Sequence, residues 1–308
     1  MRWGVGMGFF GDRCLLMILW LLVLCGCQSQ KPETVSVTIQ DSQTPKVVAT
    51  LSPHAWLASM IGGDAVEVIP LLPAGKDPGT WSPGEGELQE LANADLIIVN
   101  GSMLEKWVQR VSLPFSTLDL SRAVSDQWQE YPGVITHSHG PEGERSWEGT
   151  DGHFWVDPAL LLQQGETILQ RLIRLSPTSE AEFQERWKSV SETIRGWDRR
   201  LGAIRMPEGY SIVATEPAWG YLAHRLQAPL TTISPMIEQE TATLSEQSPG
   251  WLLWRSEPEA VSAESAAQTG FVNVIWNPAE NLGDRWAEYP RLQEEGLKTL
   301  EEAVSKRP

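Results

Sequence analysis

The longest regular pattern in this chain is an apolar stripe that lies past its midpoint. Seven large apolar residues recur at alternating intervals of four and three positions: Phe183, Trp187, Val190, Ile194, Trp197, Leu201 and Ile204. This spacing places them on one face of an α-helix of about 22 residues, which is roughly 33 Å long. The turn-forming residues 206–209 end the pattern. We predict one continuous helix that is long enough to connect two domains rigidly.

Short strand-like runs alternate with helix-like runs on both sides of this stripe. The strand-like runs are 46–51, 65–72, 96–99, 210–215, 251–254 and 272–276. The helix-like runs are 55–61, 86–93, 221–226, 258–269 and 291–304. Such alternation, with short Gly and Pro joints, indicates parallel sheets covered by helices on both faces. We therefore predict an α/β fold with two lobes, each built on a central, mostly parallel sheet flanked by helices, and joined by the long helix.

The first 27 residues have the pattern of an export signal. Arg2 and Arg13 precede an apolar run, 14–26, which is too short to span a bilayer core of about 30 Å but suits the core of a signal peptide. A small residue, Gly26, stands directly before Cys27, as in bacterial lipoprotein signals. We expect cleavage after residue 26, lipid attachment at Cys27, and an exported, membrane-anchored protein on the periplasmic or cell-surface side. An uncleaved signal anchor is the alternative.

The remaining chain divides into four predicted regions. Residues 27–45 are polar and read as a flexible linker between the lipid and the folded body. The N-terminal lobe is expected over 46–158, the connecting helices over 159–206, and the C-terminal lobe over 207–308. Within the first lobe, residues 131–152 are rich in Gly, His and charge and have no helical or strand period. We predict a long loop there, of the kind that is usually functional or disordered.

Charge and cysteine content exclude several kinds of site. The formal net charge is −16, which disfavours nucleic acid and favours cations. All three cysteines lie within the first 27 residues, so the exported part has no disulfide and no thiolate metal site. A metal site in it would have to use imidazole and carboxylate groups, which suit Zn²⁺ and, with more oxygen ligands, Mn²⁺. The chain contains no HExxH helix, GxSxG elbow or phosphate-binding Gly loop.

Several strings in the chain resemble one known family. They include DPGTWSP at 77–83, ANADLIIVNG at 92–101, HFWVDP at 153–158 and ATEPAWGYL at 214–222. These strings resemble the zinc/manganese (cluster A-I) solute-binding proteins of ABC transporters, in order, over roughly 46–304. The segment THSHGPEGE at 136–144 resembles a divergent branch of that group. The resemblance implies two lobes around one long helix, a metal ion in the cleft between them, no enzymatic activity, and an ABC permease with its ATPase as partners. We expect a monomer.

The resemblance also implies which residues hold the metal ion. Of the family's four ligand positions, one is Gly79 here, which has no side chain to coordinate with. The other three are His153, Glu216 and Asn277, of which Asn277 is the weakest donor. Glu216 also follows an apolar strand, and the carboxyl ends of parallel strands face the ligand crevice.

Three further histidines are candidate ligands. His137 and His139 are two positions apart, so an extended backbone points both to one side, where they could chelate metal or pass it inward. In the divergent branch the loop histidines are expected to replace the missing ligand. His54 opens the first helix at the end of a strand and could also stand in for Gly79. His224, within a helical run, reads as structural.

Three other interpretations stay open at this point. A metal-dependent hydrolase would use His137, His139, His153 and Glu216 with one open coordination position. A surface adhesin, or an orphan binding protein with a degenerate metal site, would need no intact ligand set. Tryptophans also accompany the matching strings: Trp56, Trp81, Trp155, Trp219 and Trp276. They are expected to pack in the core, and the alternative is an aromatic-walled cleft for a larger ligand such as a metal chelate.

Overall fold

The first lobe is built on a four-stranded parallel sheet. The computed structural model describes residues 44–131, 133, 135–138, 144–233, 249–258, 260, 264, 268 and 270–306. The strands are β1 (Lys46–Ala49), β2 (Glu67–Pro70), β3 (Leu96–Val99) and β4 (Thr117–Asp119), in the order β2-β1-β3-β4. All neighbouring pairs are parallel. The carboxyl ends of the four strands therefore lie together at one edge of the sheet, as the predicted fold requires.

The second lobe repeats this arrangement. Its strands are β7 (Ser211–Ala214), β8 (Leu230–Thr232), β9 (Gly250–Trp254) and β10 (Phe271–Ile275), in the order β10-β9-β7-β8. These pairs are also parallel. The predicted α/β class with two lobes and a parallel sheet in each is confirmed.

Six α-helices lie in the described part of the chain. Most of them have a proline or a glutamate in the first turn. They are α1 (Ser52–Gly62), α2 (Glu85–Ala92), α3 (Pro158–Leu175), α4 (Glu180–Ala203), α5 (Gly220–Arg225) and α6 (Tyr289–Ser305). Short 3₁₀ turns occupy Gly63–Ala65, Lys106–Gln109, Leu120–Gln127, Phe154–Val156, Pro177–Ser179 and Gly283–Glu288. The long helix predicted from the apolar stripe is α4, and the stripe is its buried face. None of these helices is long and apolar enough to cross a membrane.

Both faces of each sheet are buried, which explains why the strands are apolar without alternation. In β1 and β3, Val47 and Ile98 point into the main core, whereas Val48 and Ile97 point into a second cluster that includes Leu91 of α2. Successive side chains of a strand point to opposite faces, so this partition follows from the period of two. The main core also contains the buried residues of α1, α3, α4 and α6 and one face of the second sheet. One continuous core therefore joins the two lobes.

Three aromatic side chains hold the centre of this core where the long helix meets both lobes. Trp56 of α1 lies 5.7 Å from Trp197 of α4 and 5.2 Å from Tyr289 of α6, between ring centroids. Trp197 also donates a hydrogen bond from its indole nitrogen to Glu294 of α6 (2.6 Å). Because α4 packs against both α1 and α6, it is fixed along its length rather than suspended between lobes.

The interpretation of residues 131–152 as an irregular loop is wrong in part. Strand β5 (Ile135–Ser138) pairs antiparallel with β6 (Glu144–Trp147), and a bridge between Glu130 and Thr150 extends the ladder. The sequences of β5 and β6 are mostly polar and lack the hydrophobic alternation on which a strand prediction relies. Most of the predicted helix 258–269 and all of the leader and linker up to residue 43, including Cys27, lie outside the described residues.

Candidate metal-binding site

A small polar cavity lies where the carboxyl ends of strands from both lobes meet. Its volume is about 20 Å³, which is room for a single water-sized sphere. The lining residues are Asp77, Pro78, Gly79, Leu104, His153, Glu216, Pro217, Ala218, Arg255 and Glu280. Glu216 and Arg255 follow β7 and β9, and Asp77 and Gly79 follow β2. The position agrees with the rule that open parallel sheets bind ligands at the carboxyl ends of their strands.

His153 is held in one orientation by a buried carboxylate behind it. Its Nδ1 lies 2.7 Å from Asp151 Oδ1, and the same oxygen accepts a hydrogen bond from the His153 backbone N–H (2.9 Å). The Tyr131 hydroxyl donates to this oxygen as well (3.2 Å). Because Nδ1 is engaged by Asp151, Nε2 is the ring nitrogen that can coordinate an ion. A carboxylate behind a histidine is the usual support of a metal-binding imidazole.

The backbone next to His153 is held in place by hydrogen bonds that involve Asn100, Gly101 and Glu105 of the first lobe. Glu105 is buried, and its carboxylate accepts hydrogen bonds from the Thr50 hydroxyl (2.5 Å) and from the backbone N–H groups of Asn100 (2.8 Å) and Gly101 (3.0 Å). The Asn100 side-chain amide then donates to the carbonyl of Gly152 (2.9 Å). Burial raises the pKa of Glu105, and these hydrogen bonds oppose the shift. Asn100, Gly101 and Glu105 therefore position the site without lining it, whereas Leu104 is part of the lining.

Glu216 is paired with an arginine that also contacts a second glutamate. Arg255 donates from Nε to Glu216 Oε2 (2.7 Å) and from Nη2 to the same oxygen. Its Nη1 lies 2.6 Å from Glu280 Oε1. Burial alone would lower the pKa of Arg255, but the two carboxylates raise it, so the guanidinium stays charged. The three side chains form a Glu216–Arg255–Glu280 triad on one wall of the cavity.

Glu280 belongs to a segment that returns from the second lobe to the first. Its carbonyl accepts a hydrogen bond from the backbone N–H of Ser52 (3.0 Å), and the Ser52 hydroxyl accepts one from the N–H of Leu282 (2.8 Å). The indole of Trp155 donates to the carbonyl of Pro278 (2.8 Å) in the same segment. These contacts hold Glu280, which is 2% exposed, at the junction of the lobes.

The cavity carries an excess of negative charge. Three carboxylates (Asp77, Glu216 and Glu280) and one guanidinium (Arg255) line it, so its formal charge is −2 when His153 is neutral. Burial alone would lower the pKa of His153, but the charge and hydrogen bond of Asp151 and the charge of Glu280 outweigh it and raise the pKa. A dication would neutralise this charge.

The other predicted ligands lie in different places. Gly79 lines the cavity, but Asn277 is absent from the lining, and its side-chain oxygen instead accepts a hydrogen bond from the Ala279 N–H (2.8 Å), as in an Asx turn. His54 is fully buried in α1 and packs edge-on against Trp155, with ring centroids 6.1 Å apart. His137 lies in β5, in register with Arg145 of β6, and His139 falls outside the described residues.

The described side chains do not form a ready-made metal site. Within the parts of the chain that the structure describes, no group of three or more His, Cys, Asp or Glu side chains is arranged to hold a metal ion. Two of the cavity's carboxylates, Glu216 and Glu280, are instead paired with Arg255.

The hypothesis of an aromatic-walled cleft is wrong for the described cavity, whose lining includes no tryptophan. Four of the five candidate tryptophans are buried in the main core, and the fifth, Trp81, packs against it.

Three residues of the site were not predicted from the sequence: Asp151, Arg255 and Glu280. A charged residue directly after the apolar run 250–254 was a usable signal for Arg255.

Comparison with known proteins decides the family. The family model described as "ZnuA: Zinc-uptake complex component A periplasmic" matches residues 47–249. The chain belongs to the ZnuA family. Members of this family are substrate-binding transport proteins and not enzymes.

Three relatives illustrate the range of the family. The "High-affinity zinc uptake system protein ZnuA" of Bacillus subtilis is 21% identical over 311 residues, which cover 92% of this chain and 94% of that protein. The "Metal ABC transporter substrate-binding lipoprotein SsaB" of Streptococcus sanguinis is 25% identical over 240 residues, 74% of this chain and 72% of that protein. The "Zinc-binding lipoprotein AdcA" of Streptococcus pneumoniae is longer, and the match covers 60% of its length.

Solved structures that match this chain share its fold. The Zn(II)-bound ZnuA-like domain of Streptococcus pneumoniae AdcA superposes with a TM-score of 0.68 at 18% identity, covering 85% of this chain and 100% of that chain. The periplasmic zinc-binding protein TroA of Treponema pallidum gives a TM-score of 0.64 at 19% identity, with 85% and 100% covered. The two-lobe architecture is therefore that of the family.

Proposed function

We propose that this protein captures a divalent metal ion in the cavity between its lobes and delivers it to an ABC permease and its ATPase. Zn²⁺ is the first candidate and Mn²⁺ the second, because zinc or manganese stands in the names of the relatives. The observation that carries the proposal is the Asp151-oriented imidazole of His153, which shares an ion-sized, acidic cavity with Glu216.

In this proposal His153 supplies a nitrogen ligand and Glu216 an oxygen ligand. Glu280 supplies a second carboxylate from the segment between the lobes. Asn277 and His54 have no part in the ligand set, since one forms a turn and the other is buried in the core. His137 and His139 act as a capturing arm, because the strand that pairs with β5, where His137 lies, leads along the chain to Asp151, whose backbone N–H donates to the carbonyl of Gln129 (2.8 Å).

The position of the protein in the cell is part of the same proposal. A lipid on Cys27 anchors it outside the cytoplasm, and residues 27–45 give the folded body its reach. Replacing Cys27 by Ser would release the protein from the membrane fraction, whereas retention would argue for an uncleaved anchor.

Isothermal titration calorimetry of the purified protein with Zn²⁺ and Mn²⁺ tests the binding site. We expect His153→Ala and Glu216→Ala to weaken zinc binding strongly, because each removes one ligand. The matched controls are His224→Ala and Glu208→Gln, which change an exposed imidazole and an exposed carboxylate outside the cavity. Zinc affinity that is unchanged in both site variants would refute the proposal. A His137→Ala/His139→Ala variant separates two roles: loss of a direct ligand lowers the affinity, whereas loss of a capturing arm slows association and dissociation equally in stopped flow and leaves the affinity unchanged.

A further inference from the structure

Arg255 lies between two carboxylates of the cavity wall. Its guanidinium contacts Glu216 through Nε and Nη2 and contacts Glu280 through Nη1. All three side chains line the cavity with His153. The positive charge that this wall requires is therefore supplied by the chain itself.

The contact between Arg255 and Glu280 is incomplete. Although Arg255 Nη1 lies 2.6 Å from Glu280 Oε1, it lacks hydrogen-bond geometry there. Among the described residues, Nη1 and Glu280 Oε2 are both buried without a hydrogen-bond partner. Unsatisfied buried polar atoms are costly, so this part of the triad is less stable than a fully hydrogen-bonded ion pair. A bound ion that took over both carboxylates would relieve this cost.

We propose that Arg255 is a tethered competitor of the transported ion. It pairs with Glu216 and Glu280 when no metal is bound, leaves them when the ion enters, and returns to them when the ion is released. This inference rests on the proposed function and adds to it a residue that sets affinity and release rate. Displacement of one side chain needs little movement of the lobes, which suits a molecule whose lobes share one core and one long helix.

The chain offers a matched control in Arg200. Arg200 of α4 also bridges two glutamates, pairing with Glu294 and with Glu301 (2.8 Å). These groups lie on the α4–α6 surface and do not line the cavity. Arg200→Gln therefore removes an equivalent double ion pair without altering the site.

The test measures zinc affinity by calorimetry and zinc release to a chromophoric chelator by stopped flow. We expect Arg255→Gln and Arg255→Met to bind Zn²⁺ at least tenfold more tightly and to release it at least tenfold more slowly, because the competing charge is gone. Arg255→Lys, which keeps the charge with fewer contacts, is expected to fall between these variants and the unsubstituted protein. Arg200→Gln is expected to leave both quantities unchanged. Circular dichroism of each metal-free variant checks that it is folded.

The outcomes separate this inference from the proposed function. If His153→Ala loses zinc and neither Arg255 variant gains affinity, the competitor role is overturned and the metal site stands. If neither the unsubstituted protein nor the Arg255 variants bind Zn²⁺ or Mn²⁺, the proposed function is overturned and this inference with it. If Arg255→Gln binds Zn²⁺ and the unsubstituted protein does not, the competitor role is supported and high-affinity capture by the unsubstituted protein is overturned.

Discussion

The buried histidine of α1 makes the stability of this protein depend on pH in a way that can be calculated. His54 is fully buried, and among the described residues neither of its ring nitrogens has a hydrogen-bond partner of good geometry. Burial lowers the pKa of His54 to about 3, and the neighbouring Gln164 raises it only slightly in return. The imidazole is thus neutral in the folded protein across the whole physiological range.

The sign of the effect follows from comparing the two states. In the unfolded chain the pKa of His54 is about 6.5, so below that pH the unfolded state binds a proton that the folded state rejects. Stability is present above pH 6.5 and is lost as the pH falls toward the folded value. Each pH unit in this window costs about 1.4 kcal/mol, which gives a loss of about 2.5 kcal/mol between pH 7 and pH 4.5.

Urea unfolding of the metal-free protein at pH 7.0, 6.0, 5.0 and about 4.5 measures this loss, since ΔG falls linearly with denaturant. Other groups titrate in the same window, so the informative quantity is the difference between the unsubstituted protein and His54→Gln or His54→Leu. Both replacements are neutral and similar in size to the imidazole. We expect the variants to lose about 2.5 kcal/mol less stability over this range. His224→Gln, at an exposed position, is the control and should follow the unsubstituted protein.

A parallel pH dependence in the unsubstituted protein and in both His54 variants would refute the reasoning. It would mean that His54 is protonated in the folded state or has access to solvent. A steeper dependence in the variants would reverse the sign and would require a folded-state pKa above 6.5.

Three further predictions concern the supports of the site and of the core. Asp151→Asn should weaken zinc binding about 10–100-fold by calorimetry, because it loosens the His153 imidazole without removing a ligand; unchanged affinity would contradict this role. Glu105→Gln should lower the free energy of unfolding by about 2 kcal/mol in urea titrations, since a backbone N–H group at residues 100–101 loses its acceptor. Gly165→Ala should cost about 1–3 kcal/mol, because its Cβ would lie 2.4 Å from Trp187 of the adjacent helix, whereas Gly196→Ala, whose nearest contact is at 4.0 Å, should not destabilise. Equal stabilities of the two Gly→Ala variants would contradict the packing.

The layered fold was predictable because each strand of the core buries both faces. Strands β3 and β9, and β1 after Lys46, are continuous apolar runs, and such runs are typical of parallel sheets covered by helices. The edge strands β4 and β8 escaped prediction because each has three residues and none of them is fully buried. The hairpin β5–β6 escaped prediction because its mostly polar sequence has no hydrophobic alternation. The sequence pattern therefore indicates which segments are buried, and it predicts a strand only where the strand is buried.

The site was predictable only where a residue follows a buried strand. Glu216 was expected to face the crevice because it closely follows an apolar strand, and it lines the cavity two residues after β7 ends. The same rule applies to Arg255 after β9, but a cation is the opposite of what a metal site suggests, so only the structure shows that it pairs with Glu216. Glu280 is different, because its place depends on hydrogen bonds of its segment to the backbone N–H and the hydroxyl of Ser52, far away in the chain. No local pattern could bring those two segments together, so the charge balance of the cavity, and with it the competition between Arg255 and an incoming ion, required the tertiary structure.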